Sequence, residues 1–346
     1  MTVHGGDIWQ IGEDLGIAPS DLLDFSANIN PRGLPPRARE RLMRNASDPR
    51  LLAAYPDPSA RHLRGALSRY LKVHVEAIVI GPGAEALLSP ILRCLQPRTL
   101  LVPVPAFSEY RRVCEQNQIE FIPFPFGKPA DLLKAEAILL NSPHNPSGAL
   151  LEQSELHRVL HTGVPLILDE AFIDYAPYAS LVRDAAHRRN LIVLRSLTKF
   201  YGCPALRVGY AVAHPEMIRR IQSSLPTWPV TQLALDALTE AIADTEYAQA
   251  TLRDNTEQRE QLTRELTSLA LKVFPSAANY LLLELGPDMP TSANLRARLI
   301  ANHRILIRNC DSYEGLAQGR YIRVAVRTGE ENQRLTAALI AELRLP

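Results

Sequence analysis

VPLILDEAFIDYAPYASLVRDAAHRRNLIVLRSLTKFYGCPALRVGYAVA, residues 164–213, contains three short apolar runs, VPLILD, NLIVLRS and RVGYAVA. Runs that are apolar throughout suit strands covered on both faces, since neither row of side chains then meets water. Upstream the pattern recurs in AIVIG at 77–81, TLLVPV at 99–104 and AILLN at 137–141, with stretches of helical length between several of these runs. Strands alternating with helices imply a mostly parallel sheet built through crossover connections. The fold class read from this pattern is α/β.

After this core, the stretch from Thr231 to Leu269 is polar, favours helix and carries apolar positions at helical spacing. It reads as long connecting helices. ANYLLLEL, HRILIRN and GRYIRVAVRT follow as strands of a second, smaller α+β unit, closed by a helix from about Glu330 to Leu343. The expected organisation is an N-terminal arm over 1–35 that closes the site, a large domain over 36–230, connecting helices over 231–269 and a small domain over 270–346. A chain of 346 residues is too long for one ordinary core, which agrees with two domains.

Lys and Arg number 38 against 37 Asp and Glu, so the net charge of +1 gives no electrostatic reason to expect nucleic acid or an anionic membrane as a partner. An anion must instead be met by a local cluster. Cys94, Cys114, Cys203 and Cys310 form no CxxC or Cys/His spacing, which points to a reducing compartment and no structural metal. The opening MTVHGGDIWQIGEDLG resembles neither a secretory leader nor a transit peptide, so a cytoplasmic location is expected. The 27 prolines scatter through turns, and no internal repeat is found.

In an open α/β sheet, ligands gather beyond the carboxyl ends of the strands. AIVI runs into Gly81-Pro82-Gly83-Ala84-Glu85, a turn opening a helix where free N–H groups can hold a phosphate, although such a turn is often only a turn. AILLN runs into Ser142-Pro143-His144-Asn145-Pro146-Ser147-Gly148, a rigid loop presenting Asn145. VPLIL ends in Asp169-Glu170, a carboxylate at the tip of a buried strand that needs a cationic partner. NLIVLR ends in Ser196-Leu197-Thr198-Lys199, with Arg207 eight residues beyond the lysine. Burial and cationic neighbours lower a lysine pKa and make its amine nucleophilic.

HNPSG at 144–148, DEAFIDY at 169–175 and SLTKFYGCPALRVGY at 196–210 stand in the order of a known family. Over essentially its whole length the chain resembles the fold-type I enzymes that use pyridoxal 5'-phosphate (PLP), in the aminotransferase branch that includes histidinol-phosphate aminotransferase and threonine-phosphate decarboxylase. The resemblance implies that Lys199 carries PLP as a Schiff base and that Asp169 pairs with the protonated pyridine nitrogen, keeping the ring an electron sink. It also implies that Asn145 donates to the phenolic oxygen O3', and that Phe107 of PAFSEY stacks on the ring. Ser196, Arg207 and backbone groups of Gly83, Ala84 and Glu85 would cradle the cofactor phosphate. Tyr55 of AYPDP resembles the tyrosine that reaches the phosphate of a neighbouring subunit, which implies a homodimer. One departure stands out: many aminotransferases place a tyrosine three residues after the aspartate, whereas this chain has Phe172 and lacks the hydroxyl that would share O3'.

The cofactor alone does not choose the reaction, so substrate orientation must. In GRYIRVAVRT, period-two alternation sets Tyr321, Arg323, Ala325 and Arg327 against Ile322, Val324 and Val326, making Arg323 a candidate to grip a substrate carboxylate. The openings HGGDI at 4–8 and DFSANINP at 24–31, and CDSYEGL after Ile307-Arg308-Asn309, resemble the decarboxylases. Both enzyme types handle a phosphorylated amine, so a second anion site is expected from His4, Arg308 and Arg323, with Ser26, Asn28, Ile29 and Asn30 closing it. The resulting expectation is decarboxylation of L-threonine O-3-phosphate to (R)-1-aminopropan-2-yl phosphate in cobalamin biosynthesis. The alternatives are a histidinol-phosphate aminotransferase and a non-catalytic PLP-binding regulator. Against the regulator, residues 1–35 are too short and too weakly basic for a DNA-binding module.

Overall fold

The computed structural model describes residues 5–128, 132 and 135–343. The N-terminal arm contributes a helix, Ile8–Leu15, and a short strand, β1 (Leu23–Asp24). The large domain is built on seven strands: β2 (Ile78–Gly81), β3 (Thr99–Val104), β4 (Glu120–Pro125), β5 (Ala137–Asn141), β6 (Leu166–Asp169), β7 (Leu191–Ser196) and β8 (Gly209–Ala213). Their order across the sheet is β2-β8-β7-β6-β5-β3-β4. From β7 to β4 the neighbours run parallel, while β8 is antiparallel to both β7 and β2. The stretch from Leu197 to Val208 is too short and irregular for a crossover helix, so it returns as a hairpin-like connection. Lys199 sits in that return.

Every residue of β5, β6 and β7 is buried because successive side chains feed two separate cores. Ile138, Leu140, Leu166, Leu168 and Val193 join one core, with Leu63 and Leu67 of the helix Arg61–Leu71 and Leu235 and Leu238 of the helix Gln232–Ala243. Leu139, Ile167, Ile192 and Leu194 join the other, with Ile91 of Leu88–Leu95 and Ile218 and Ile221 of Pro215–Ser223. At roughly 1.5–3 kcal/mol for each fully buried large aliphatic side chain, this two-sided burial fixes the strand ends that carry the site.

The segment expected to connect the domains over 231–269 divides at Asp244. Gln232–Ala243 packs into the large core through Ala234, Leu235, Leu238, Ala241 and Ile242, its first turn capped by the Thr231 hydroxyl. Thr245–Ser268, capped by the Asp244 carboxylate, is the connector: Tyr247 joins the large core, and Leu262 and Leu266 join the small one. The small domain contains β9 (Lys272–Val273), β10 (Tyr280–Glu284), β11 (Ile305–Leu306), β12 (Arg308–Asn309) and β13 (Tyr321–Ala325). Four of these form an antiparallel sheet in the order β12-β13-β10-β9. β11 instead pairs in parallel with β1, and Phe25 enters the small-domain core, so the arm is packed into that domain. No helix among the described residues is long and apolar enough to cross a membrane.

Candidate active site

A cavity of about 400 Å³ opens where the carboxyl ends of β5, β6 and β7 meet the arm and the small domain. Asp169, the last residue of β6, is buried in its wall. Its Oδ2 accepts from the Tyr110 hydroxyl at 2.6 Å and its Oδ1 from the Ala171 N–H at 2.8 Å. Burial pushes its pKa up; the Tyr110 and Ala171 donors and the Lys199 charge oppose the rise. No cation forms an ion pair with it among the described residues.

Lys199 faces this carboxylate from the β7–β8 return. Desolvation, then the charges of Arg207 and Arg323, lower its pKa to about 8, against the pull of Asp169. A substantial fraction of its amine is therefore neutral at mildly alkaline pH, as nucleophilic attack requires. Asn30 holds the return in place: its N–H donates to the Lys199 carbonyl at 3.1 Å and its Nδ2 to the Phe200 carbonyl at 2.7 Å and the Tyr247 oxygen at 2.9 Å. Its side chain is thereby used away from the cavity wall.

Gly83, Ala84, Glu85, Ser196, Thr198 and Arg207 gather at one end of the cavity. Gly83 has φ +108°, and a Cβ there would lie 3.0 Å from Arg207 Nη2. Across the turn, a Cβ on Gly209 would lie 2.2 Å from the Ala84 nitrogen. Only glycine allows this packing. The Gly83 N–H is spent on the Gly81 carbonyl at 2.8 Å, so the backbone donors left to the site are those of Ala84 and Glu85. Ser196 Oγ and Thr198 Oγ1 lie 2.8 Å apart. Arg207, itself at φ +52°, donates from Nη1 to the Pro204 carbonyl at 3.4 Å and has no carboxylate partner among the described residues. Hydroxyls, free N–H groups and an uncommitted guanidinium make a phosphate cradle.

The 142–148 loop is tied down by side chains. Asn141 Nδ2 donates to the Asp169 carbonyl at 2.8 Å, and its Oδ1 accepts from the Asn145 N–H at 2.6 Å. His144 stacks on Phe126 with centroids 3.6 Å apart. Its Nε2 donates to the Pro105 carbonyl at 2.8 Å, which leaves Nδ1 to accept from Ser147 at 2.7 Å. Burial of this neutral ring lowers its pKa to about 4. Phe107 lines the cavity and meets Tyr110 edge-on at 5.7 Å. Phe172 is buried edge-on against Tyr280 at 4.9 Å.

The opposite wall comes from the arm and the small domain. Arg308 and Arg323 are cross-strand partners on β12 and β13. Arg308 Nη2 donates to Ser312 Oγ at 2.8 Å, and the guanidinium lies over the Tyr313 ring. Arg323 donates to Asn145 Oδ1, to the Tyr313 oxygen at 3.0 Å and to the Ser26 carbonyl at 3.1 Å. Neither arginine has a carboxylate partner among the described residues. Ser26 and Asn28 also line the cavity, and Asn28 Oδ1 is a buried acceptor without a donor among the described residues. Gly5 approaches so closely that a Cβ would sit 2.2 Å from the Ser26 carbonyl oxygen.

Of the residues singled out from sequence, Gly83, Ala84, Glu85, Phe107, Asn145, Asp169, Ser196, Lys199, Arg207, Ser26, Asn28, Arg308 and Arg323 converge on this cavity. Ile29 and Asn30 lie outside its lining, and His4 lies outside the described residues. Tyr55 is 78% exposed, stacked on Trp228 with centroids 4.3 Å apart, and is not among the residues lining the chain's own cavity. Sequence reasoning missed Tyr110, Asn141, Thr198 and Tyr313. Tyr110 stands three residues after Phe107, close to one helical turn, and Tyr313 lies inside the CDSYEGL stretch, so both had a positional signal.

The donor set fits PLP: a buried carboxylate without a cation for a protonated ring nitrogen, a depressed lysine for the aldehyde carbon, and a cradle for the phosphate. Residues 20–339 match the family described as aminotransferase class I and II. The chain is 37% identical to a threonine-phosphate decarboxylase of Salmonella typhimurium, over 98% of this chain and 96% of that one. It is 30% identical to an adenosylcobalamin biosynthesis bifunctional protein of Leptospira interrogans, over 98% of this chain and 41% of that longer one. Among solved structures, L-threonine-O-3-phosphate decarboxylase from Porphyromonas gingivalis superposes with a TM-score of 0.83 at 25% identity, covering 92% of this chain and 99% of that one.

Proposed function

The chain belongs to the class I and II aminotransferase family, and on that premise we propose that it is a PLP-dependent carboxy-lyase converting L-threonine O-3-phosphate to (R)-1-aminopropan-2-yl phosphate and CO2 in cobalamin biosynthesis. The observation that carries the choice of reaction is the pair Arg308 and Arg323, cross-strand neighbours without carboxylate partners among the described residues. Threonine phosphate brings two anionic groups, a phosphate and the carboxylate that leaves, and two guanidinium groups match them. Histidinol phosphate has no carboxylate, and an aminotransferase would meet one only on its second substrate, 2-oxoglutarate, whereas threonine phosphate presents both anions in one molecule.

PLP, when bound, supplies an electron sink conjugated to the substrate α-carbon. Ala84, Glu85, Ser196 and Arg207 would hold its phosphate, and Asp169, its carboxylate fixed by Tyr110 and Ala171, would pair with its ring nitrogen. Phe107 would stack on the ring. Lys199 would anchor the cofactor and, as the free amine, would return a proton to the substrate α-carbon in the place that CO2 vacates. Ser26 and Asn28 line the arm's side of the cavity and would close it over the substrate. The protein acts in the cytoplasm as a homodimer, with the exposed Tyr55 directed at the partner subunit's cofactor phosphate.

The test is incubation of the PLP-loaded protein with L-threonine O-3-phosphate, following CO2 and the amine. Stoichiometric CO2 and aminopropanol phosphate are expected, without any need for 2-oxoglutarate. A keto product formed from histidinol phosphate and 2-oxoglutarate, with no CO2 from threonine phosphate, would overturn the proposal in favour of transamination. A bound chromophore without turnover of either substrate would point to a regulator.

A further inference from the structure

We infer that Tyr313 is a positioning residue whose hydroxyl, together with the Arg323 guanidinium, holds the orientation of the Asn145 carboxamide, coupling the anion-binding Arg323 to the cofactor side of the cavity. Three polar groups form a closed ring of hydrogen bonds. Arg323 Nη1 donates to Asn145 Oδ1 and, at 3.0 Å, to the Tyr313 oxygen; the Tyr313 hydroxyl in turn lies 2.9 Å from Asn145 Oδ1. A guanidinium has only protons to give, so the asparagine atom facing it must be the oxygen. Because Tyr313 accepts from that guanidinium, its own proton is directed at Asn145 Oδ1. Two donors then saturate the amide oxygen, and Nδ2 is the group Asn145 has left for the cavity.

The hydroxyl is not free to swing away. Tyr313 is 5% exposed, packed with Leu282 and Cys310, and its ring lies beneath the Arg308 guanidinium at 5.6 Å. It therefore touches three residues that line the same cavity. Phe172 carries no hydroxyl, and the Tyr280 hydroxyl beside it is committed to the His144 carbonyl at 2.9 Å. The donor to the cofactor's O3' is then the Asn145 amide, held in register by Tyr313. This inference rests on the PLP assignment above but not on the identity of the substrate.

The test uses the PLP-loaded protein without substrate and follows the cofactor's visible absorbance against pH. Tyr313→Phe keeps the ring under Arg308 and removes only the hydroxyl. Loss of one neutral hydrogen bond to the orienting amide should raise the titration midpoint by about 0.5–1 pH unit, because the anionic form of O3' loses part of its donor. In an Asn145→Ala background the same substitution should move the midpoint by less than about 0.2, since the coupled partner is gone. An unchanged midpoint in Tyr313→Phe, or an equal shift in both backgrounds, would overturn the inference. As no substrate is added, this outcome is separate from the CO2 assay: a protein that releases no CO2 can still show the coupling, and one that does can fail to.

Discussion

Asp169 and Glu170 are consecutive carboxylates, both buried, on opposite faces of the same sheet. Burial raises the pKa of each, but they are satisfied differently. Asp169 accepts from a phenol and an amide and has no ion pair among the described residues, so its charge remains available to a ligand cation. Glu170 accepts from Ser180 at 2.5 Å and from the Leu181 N–H at 2.8 Å, and lies 3.8 Å from Arg195 Nε. Arg195 pairs with Asp174 at 2.8 Å and lies over the Tyr210 ring. One arginine thus serves two carboxylates behind the sheet, while the front leaves Asp169 without a cation. A buried charge closed off by protein groups is scaffold, whereas one left open toward a cavity is a site.

The sharpest way to separate the two faces is to remove the principal charge of each. Lys199→Ala should lower decarboxylation by a factor on the order of 10⁴ or more, because both the covalent anchor and the proton carrier are lost. It should also abolish the cofactor's covalent absorbance while leaving the thermal midpoint of the cofactor-free protein within a few degrees. A Lys199→Ala protein that kept that absorbance would disprove the anchor assignment.

Arg195→Met should do the reverse. It strands Glu170 and Asp174 as uncompensated carboxylates behind the sheet, and breaking a buried ion pair from one side costs roughly 3–5 kcal/mol. Urea unfolding should report that loss, while kcat per folded molecule stays within a few-fold of the parent. A large fall in kcat without a fall in stability would mean that the rear cluster acts on the chemistry.

How much could be read in advance follows the same division. The apolar runs VPLIL and NLIVLR located the strand ends, and a buried strand exposes its chemistry just beyond its last apolar residue, so Asp169, Ser196 and Lys199 were legible. Arg323 was legible through strand alternation, and Arg308 through the likeness of the CDSYEGL stretch that follows it. Tyr110 and Tyr313 were not, because a tyrosine in an amphipathic helix or a turn looks the same in sequence whether its hydroxyl meets Asp169, Asn145 or water. Asn30 was read as closing the site through its backbone, yet its N–H is spent on the Lys199 carbonyl and its amide on the Phe200 carbonyl, contacts with residues about 170 positions away. The pairing of β1 with β11, which anchors the arm, rests on two residues in each strand and carries no periodic signal.

The finest test of the comparison is the pH dependence of stability in Glu170→Gln. The folded chain raises the Glu170 pKa to about 7 from an ordinary value of 4.5, with burial the largest cause and Arg195 opposing it. Between those values the unfolded chain gives up its proton more readily than the folded one, so Glu170 makes stability fall as pH rises from about 4.5 to 7 and adds no further loss above. His144 acts in the opposite sense: burial lowers its folded pKa to about 4 from 6.5, so its contribution is lost as pH falls through that window. The two slopes overlap, and the parent curve alone cannot separate them. A neutral glutamine removes only the first. The stability of Glu170→Gln relative to the parent should therefore climb by on the order of 1–3 kcal/mol between pH 5 and pH 8, as read from urea midpoints at fixed ionic strength. Parallel curves across that range would mean that Arg195 already keeps Glu170 ionised at pH 5, and that the rear cluster, unlike Asp169, is indifferent to its burial.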